Sequence, residues 1–148
     1  MPSSPSSSST TSVLAGDLRV VLGRLHRRLR EEAHIGDFTW SQTRVIVRLD
    51  RDGPATVTAL AQAEGVRPQS MSATVAVLKD AGLVAGAPDP NDGRQTVLSL
   101  TPACRAALAE SRAKKEDWLF RAIQTRLDAA EQRQLEGAVA LLSRLLDS

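Results

Sequence analysis

The sequence predicts a mainly α-helical fold with one small β-hairpin (an α+β chain), on three observations. Leucines and valines recur at threes and fours in long segments near both ends of the chain. A short helix, a Gly turn and a second helix follow one another from Thr56 to Leu78. Two short runs, Leu83–Ala87 and Thr96–Leu100, flank a loop rich in Pro, Asn and Gly. With 148 residues, 42% of them hydrophobic, the chain has one domain's length and enough apolar content for a modest core.

Residues 1–12 are rich in Ser, Pro and Thr and cannot bury enough apolar area to offset their ordering entropy, so a flexible tail is expected there. Residues 13–37 follow as a helix: Leu14, Leu18, Val21, Leu22, Leu25 and Leu29 form one apolar stripe over Leu14–His34, with Arg19, Arg24, Arg27, Arg28 and Arg30 interleaved. The unit 38–101 opens with Thr39 and Gln42, a capping box for a helix running to about Arg51. Trp40, Val45, Ile46 and Leu49 are the candidates for its buried side.

Two helices then meet over a tight turn, which requires a small facing residue and a left-handed backbone; Ala61 and Gly65 supply these. Pro68 suits the first turn of the second helix, where its missing N–H is not needed. On a helical wheel Met71, Thr74, Val75 and Leu78 share one face, while Gln69, Ser72, Ala73 and Ala76 lie opposite. Short side chains with Gln and Ser among them suit close approach to base edges in a major groove.

Gly82 ends that helix, and the strands after it enclose Pro88-Asp89-Pro90-Asn91-Asp92-Gly93-Arg94-Gln95, a sequence that cannot continue a helix and instead forms a projecting hairpin tip. This is the layout of a winged helix-turn-helix. Arg94 is the probe such a wing would offer to the minor groove, with Asp92 two residues earlier able to hold its guanidinium.

In residues 102–148, Thr101-Pro102 starts a helix that runs to about Arg126, and Asp128 with Glu131 caps the next. That last helix carries Leu135, Ala138, Val139, Leu141, Leu142, Leu145 and Leu146, a stripe too broad for one side in water. Pairing with a second copy of the chain would cover it, through Leu18, Leu22 and Leu25 of the first helix and Leu135, Val139, Leu142 and Leu146 of the last.

From Thr39 to Thr101 the chain resembles the multiple-antibiotic-resistance regulator (MarR) family. The wing text DPNDGRQTVLSLT is the most specific part, followed by LAQAEGVRPQSMSATVAVLKDAGLV. The resemblance implies a cytoplasmic homodimer that binds double-stranded DNA at a pseudo-palindromic operator, with repression as the family default. Gln69, Ser70 and Ser72 would then lie on the recognition helix, joined in our reading by Arg67, Ala73 and Ala76, and Asp92 and Arg94 would form the wing pair. The chain departs from the family pattern at Ala73 and Val77, positions often basic, and at Gly93, where a second Arg is common. The resemblance also implies a small aromatic or anionic effector seated between the dimer helices and the reading head, for which His26, Trp40 and Arg44 are the candidate lining residues.

Charge and chemistry limit the other classes. The net charge is only +2, and between Arg67 and Arg105 the cations Arg67, Lys79, Arg94 and Arg105 face Asp80, Asp89 and Asp92, so the expected salt dependence of DNA binding is shallow. No apolar run approaches a membrane span, and the N-terminus has no secretory signal. The single cysteine, Cys104, excludes an internal disulfide and is expected to be a packed, inert thiol. His26 and His34 have no ligand-spaced companions, and no metal or cofactor is expected. The sequence has no Gly-rich phosphate loop, nucleophile elbow or paired catalytic carboxylates, which argues against an enzyme. A winged-helix architectural or protein-interaction module without sequence readout stays open as an alternative.

Overall fold

The computed structural model describes residues 7–147, which form two compact units. One spans Ile35–Ser111; the other joins the described residues before Ile35 to those after Ser111.

The Ile35–Ser111 unit begins with α2 (Trp40–Asp52), preceded by α1 (Ser7–Glu32) of the other unit. The expected capping box is present: Gln42 N–H donates to Thr39 Oγ1 at 3.2 Å, and the Thr39 N–H donates to Gln42 Oε1 at 3.0 Å. Strand β1 (Ala55–Thr56) follows, then α3 (Val57–Glu64) and α4 (Pro68–Asp80), then β2 (Val84–Pro88) and β3 (Thr96–Leu100). The sheet is antiparallel in the order β1-β3-β2, with Ala55 opposite Leu98 and Val84 opposite Leu100. Strand β1 escapes a sequence reading because two residues carry no alternation; β3 recruits it as an edge partner.

Gly65 ends α3 in the left-handed region (φ 65°, ψ 33°), and the Val66 N–H reaches back to the Ala61 carbonyl at 3.0 Å. That motif turns the chain within three residues from α3 into α4. The core beneath is formed by Val45, Ile46, Leu49, Leu60, Ala61, Met71, Val75, Leu78, Val84, Leu98, Leu100 and Cys104. Trp40 is not part of it. Expected on the buried side of α2, it is 74% exposed. Five and six residues before Val45 and Ile46, it lies roughly 120–140° around the helix from that stripe.

Helix α5 (Pro102–Arg126) starts in this unit. Thr101 joins three neighbours: its N–H donates to the Leu83 carbonyl at 3.0 Å, its hydroxyl donates to the Gly82 carbonyl at 2.7 Å, and it accepts from the Cys104 N–H at 3.1 Å. The expected N-cap therefore also ties the base of the hairpin to α5.

In the other unit, α1 begins at Ser7, inside the segment expected to be a tail. Extending an existing long helix by about one and a half to two turns costs little, and the Thr11 hydroxyl satisfies itself on the Ser7 carbonyl at 2.9 Å. The remainder of that expected tail, residues 1–6, lies outside the described residues. Helix α6 (Ala129–Arg144) carries its expected capping box: the Glu131 N–H donates to Asp128 Oδ1 at 2.8 Å, and the Asp128 N–H donates to Glu131 Oε1 at 3.1 Å. Neither α1 nor α6 contains a buried residue. Among the described residues, no helix is long and apolar enough to cross a membrane.

Candidate nucleic-acid interface

Helix α4 is two-sided in the way its sequence demands. Met71, Val75 and Leu78 are buried, Thr74 is half-buried, and Gln69, Ser70, Ser72, Ala73 and Ala76 are all exposed. Pro68 occupies the first turn after Arg67, whose backbone is extended and whose side chain makes no capping bond. Arg67 is exposed at the helix start, next to backbone N–H groups whose partial positive charge adds to its own. The outward face is thus short-chained and hydrogen-bond capable, bounded by one cation. Lys79 at the other end of α4 lies against the hairpin: a Cβ added at Gly86 would fall 3.2 Å from Lys79 Nζ and 2.7 Å from Thr96 Cγ2.

The hairpin tip is held by its own polar groups. The Asp89 N–H donates to the Gln95 carbonyl at 2.9 Å and the Gln95 N–H to the Asp92 carbonyl at 3.0 Å. Asp89 Oδ1 accepts from the Asn91 N–H at 2.9 Å, and Asp92 Oδ1 accepts from the Arg94 N–H at 3.1 Å. This corrects the expected wing pair. Asp92 holds the Arg94 backbone and not its guanidinium, because a short carboxylate two residues upstream reaches a main-chain N–H before it reaches the end of a long side chain. Arg94 is exposed, and among the described residues its guanidinium has no carboxylate partner.

A cluster that the sequence did not reveal fixes α2 to α3. Glu64 receives Arg44 Nε at 2.6 Å on one carboxylate oxygen and Arg48 Nε at 2.7 Å on the other. Its side chain is only 10% exposed. The hydrogen bonds from Arg44 and then Arg48 hold its carboxyl below the ordinary glutamate range, against the opposing effect of burial. The partners are 20 and 16 residues away in the chain, so no local spacing announces them. Glu64 is also at the C-terminal end of α3, where a negative charge opposes the helix dipole; the two guanidiniums offset that.

The cluster makes a stability prediction. Glu64→Gln is expected to cost about 1–3 kcal/mol at neutral pH, since two guanidiniums lose a charged acceptor. A depressed folded pKa contributes stability that is present above the unfolded value and lost as pH falls through the folded one. Urea unfolding of the two proteins should therefore diverge at neutral pH and converge in acid. A gap independent of pH would show that the carboxylate charge is not what matters.

Trp40 and Arg44 line one pocket of about 310 Å³ with Ser41, Glu64, Ser70 and Thr74. The Arg44 guanidinium lies 5.6 Å from the Trp40 ring centroid. Two of the three candidate effector residues thus come together beside the exposed start of α4. His26, the third, lies on α1 in the other unit.

Cys104 is fully buried in the core, where desolvation first, and Asp50 second, push its thiol up. The thiolate needed for nucleophilic or redox chemistry is disfavoured there, in line with the inert thiol expected. Among the described residues no group of three or more His, Cys, Asp or Glu side chains could hold a metal ion.

The apolar residues of the terminal helices face outward within the protomer. Leu22, Leu25, Leu135, Val139 and Leu146 are all exposed, Leu146 by 84%, while Leu18 and Leu142 are half-buried.

Comparison with known proteins gives this arrangement a lineage. Residues 37–95 match the model of the MarR family. An HTH-type transcriptional regulator of Mycobacterium tuberculosis is 35% identical over 134 residues, covering 90% of this chain and 93% of that protein. A related regulator of Mycobacterium leprae is 34% identical over the same shares. A crystal structure of a proposed transcriptional regulator of Pseudomonas aeruginosa superposes with a TM-score of 0.80 at 36% identity, covering 97% of this chain and 99% of that one. A MarR structure from E. coli shares the fold at a TM-score of 0.64 and 24% identity, over 90% of this chain and 96% of that one. An exposed short-chained helix after a glycine turn, a polar hairpin tip carrying Arg94, and full-length similarity to such regulators converge on one conclusion: the chain belongs to the MarR family of DNA-binding transcriptional regulators.

Proposed function

We propose that the protein is a homodimeric repressor that reads a pseudo-palindromic operator through α4, with the wing in the adjacent minor groove, and that a small aromatic or anionic ligand releases it. The observation that carries this reading is the outward face of α4. Gln69, Ser70 and Ser72 stand exposed with Ala73 and Ala76 among them, so the helix can approach base edges closely and still offer donors and acceptors. Arg67 and Arg94 add the cations for phosphate and minor-groove contact.

The homodimer rests on α1 and α6, which have no fully buried residue within the protomer and leave Leu22, Leu25, Leu135, Val139 and Leu146 exposed beside the half-buried Leu18 and Leu142. A two-fold pair would present two copies of α4 to half-sites about 34–36 Å apart. The ligand reading rests on the pocket at Trp40 and Arg44, whose wall includes Ser70 and Thr74 of the reading helix. A ligand there acts only by binding the DNA-competent and DNA-incompetent arrangements unequally.

Selection of bound fragments from random duplexes, at two salt concentrations, tests the reading. The expected result is an enriched inverted repeat with a shallow salt slope, and loss of binding when a salicylate-class anion is added. Binding without an enriched sequence would favour an architectural role for the same fold; an enriched site indifferent to such anions would remove the ligand from the mechanism.

A further inference from the structure

A second charged feature lies in the unit that contains α1 and is built from none of the residues of the Ile35–Ser111 unit. Arg24, Arg27 and Arg28 of α1 and Arg126 of α5 line one groove of about 600 Å³ with Trp118 and Glu31. The helix repeat explains the α1 contribution, since spacings of three and four put the three arginines on one face.

Four guanidiniums face one lining carboxylate, Glu31. Arg28 is held in position: its guanidinium stacks 4.7 Å from the Trp118 ring centroid and bonds Glu32 at 2.6 Å. Among the described residues Arg24, Arg27 and Arg126 have no carboxylate within ion-pair distance. Like charges at spacings of three and four on a helix repel, and a fourth brought in from another helix adds to that cost. An anion with several oxygens relieves the repulsion and uses the forked donors of arginine, whose planar geometry matches a phosphate two bonds at a time.

We propose that this groove binds a compact multivalent phosphate, a di- or triphosphate held by Arg24, Arg27 and Arg126 around the fixed guanidinium of Arg28. The site needs no residue of α4 or the wing, although Leu25, which also lines the groove, belongs to the proposed dimer face.

Isothermal titration of the full-length protein with inorganic pyrophosphate, and in parallel with adenosine diphosphate, tests it at moderate salt, where diffuse attraction is screened. Pyrophosphate should bind. The double variant Arg24→Gln/Arg27→Gln should weaken it by at least about tenfold, and Arg126→Gln on the other helix should do the same independently. Arg19→Gln/Arg30→Gln removes equal charge from α1 outside the groove and should change affinity by less than about twofold. Equal affinity for the two ligands would identify the diphosphate alone as the recognised group, and tighter adenosine diphosphate would assign the nucleotide as its source. No heat with either ligand, unchanged affinity in the groove variants, or equal loss in the Arg19/Arg30 control would overturn the proposal.

Discussion

Arg94→Ala is expected to weaken operator binding by about 30- to 1,000-fold, with the fold and the dimer unchanged. Each protomer of the proposed pair places one Arg94 at a minor groove, and a specific arginine contact of about 1–2 kcal/mol counts twice per duplex. The variant isolates the side chain because the tip does not depend on it. The bonds that shape residues 89–95 come from Asp89, Asp92 and the main chain, and what Asp92 holds is the Arg94 N–H, which alanine retains. Fluorescence anisotropy on the selected duplex measures the loss, and thermal melting controls for the fold. Unchanged affinity would remove the wing from DNA recognition.

Leu142→Asp is expected to have the larger effect, converting the dimer to a monomer and lowering operator affinity by about 10²- to 10⁴-fold through loss of the second tethered contact. An aspartate placed in an apolar interface must be desolvated without a partner in both copies, so its cost is doubled by the symmetry. Within the protomer Leu142 is only half-buried and α6 has no fully buried residue, so the change should leave each chain folded. Sedimentation velocity should then report a monomer whose far-UV circular dichroism matches the parent. A variant that remains dimeric would show that the leucines of α6 are not the contact.

The parts of the fold that could be read from the sequence are those whose causes are local. Gly65 announces a left-handed turn; Thr39 with Gln42 and Asp128 with Glu131 announce helix starts; Thr101-Pro102 announces another; all are found where expected. The same holds for the division of α4 into a buried and an exposed face, because one wheel separates Met71, Val75 and Leu78 from Gln69, Ser72 and Ala76. What stayed hidden depends on distant partners. The Glu64 fork joins residues 16 and 20 positions apart, and β1 exists only because β3 lies beside it. The wing shows the boundary between the two cases. Its turn chemistry gave the loop, but whether Asp92 would hold a backbone N–H or a guanidinium depended on reach in three dimensions.

The threefold bonding of Thr101 bears on how this protein can be divided. Because one residue anchors the Leu83 and Gly82 carbonyls and starts α5, and because Cys104 of that helix sits in the core, a fragment cut at the last strand would lose a wall of its own interior. A reading-head fragment should therefore keep α5 through Ser111, where the compact unit ends. Excised there, it would be the natural reagent for measuring half-site affinity free of avidity.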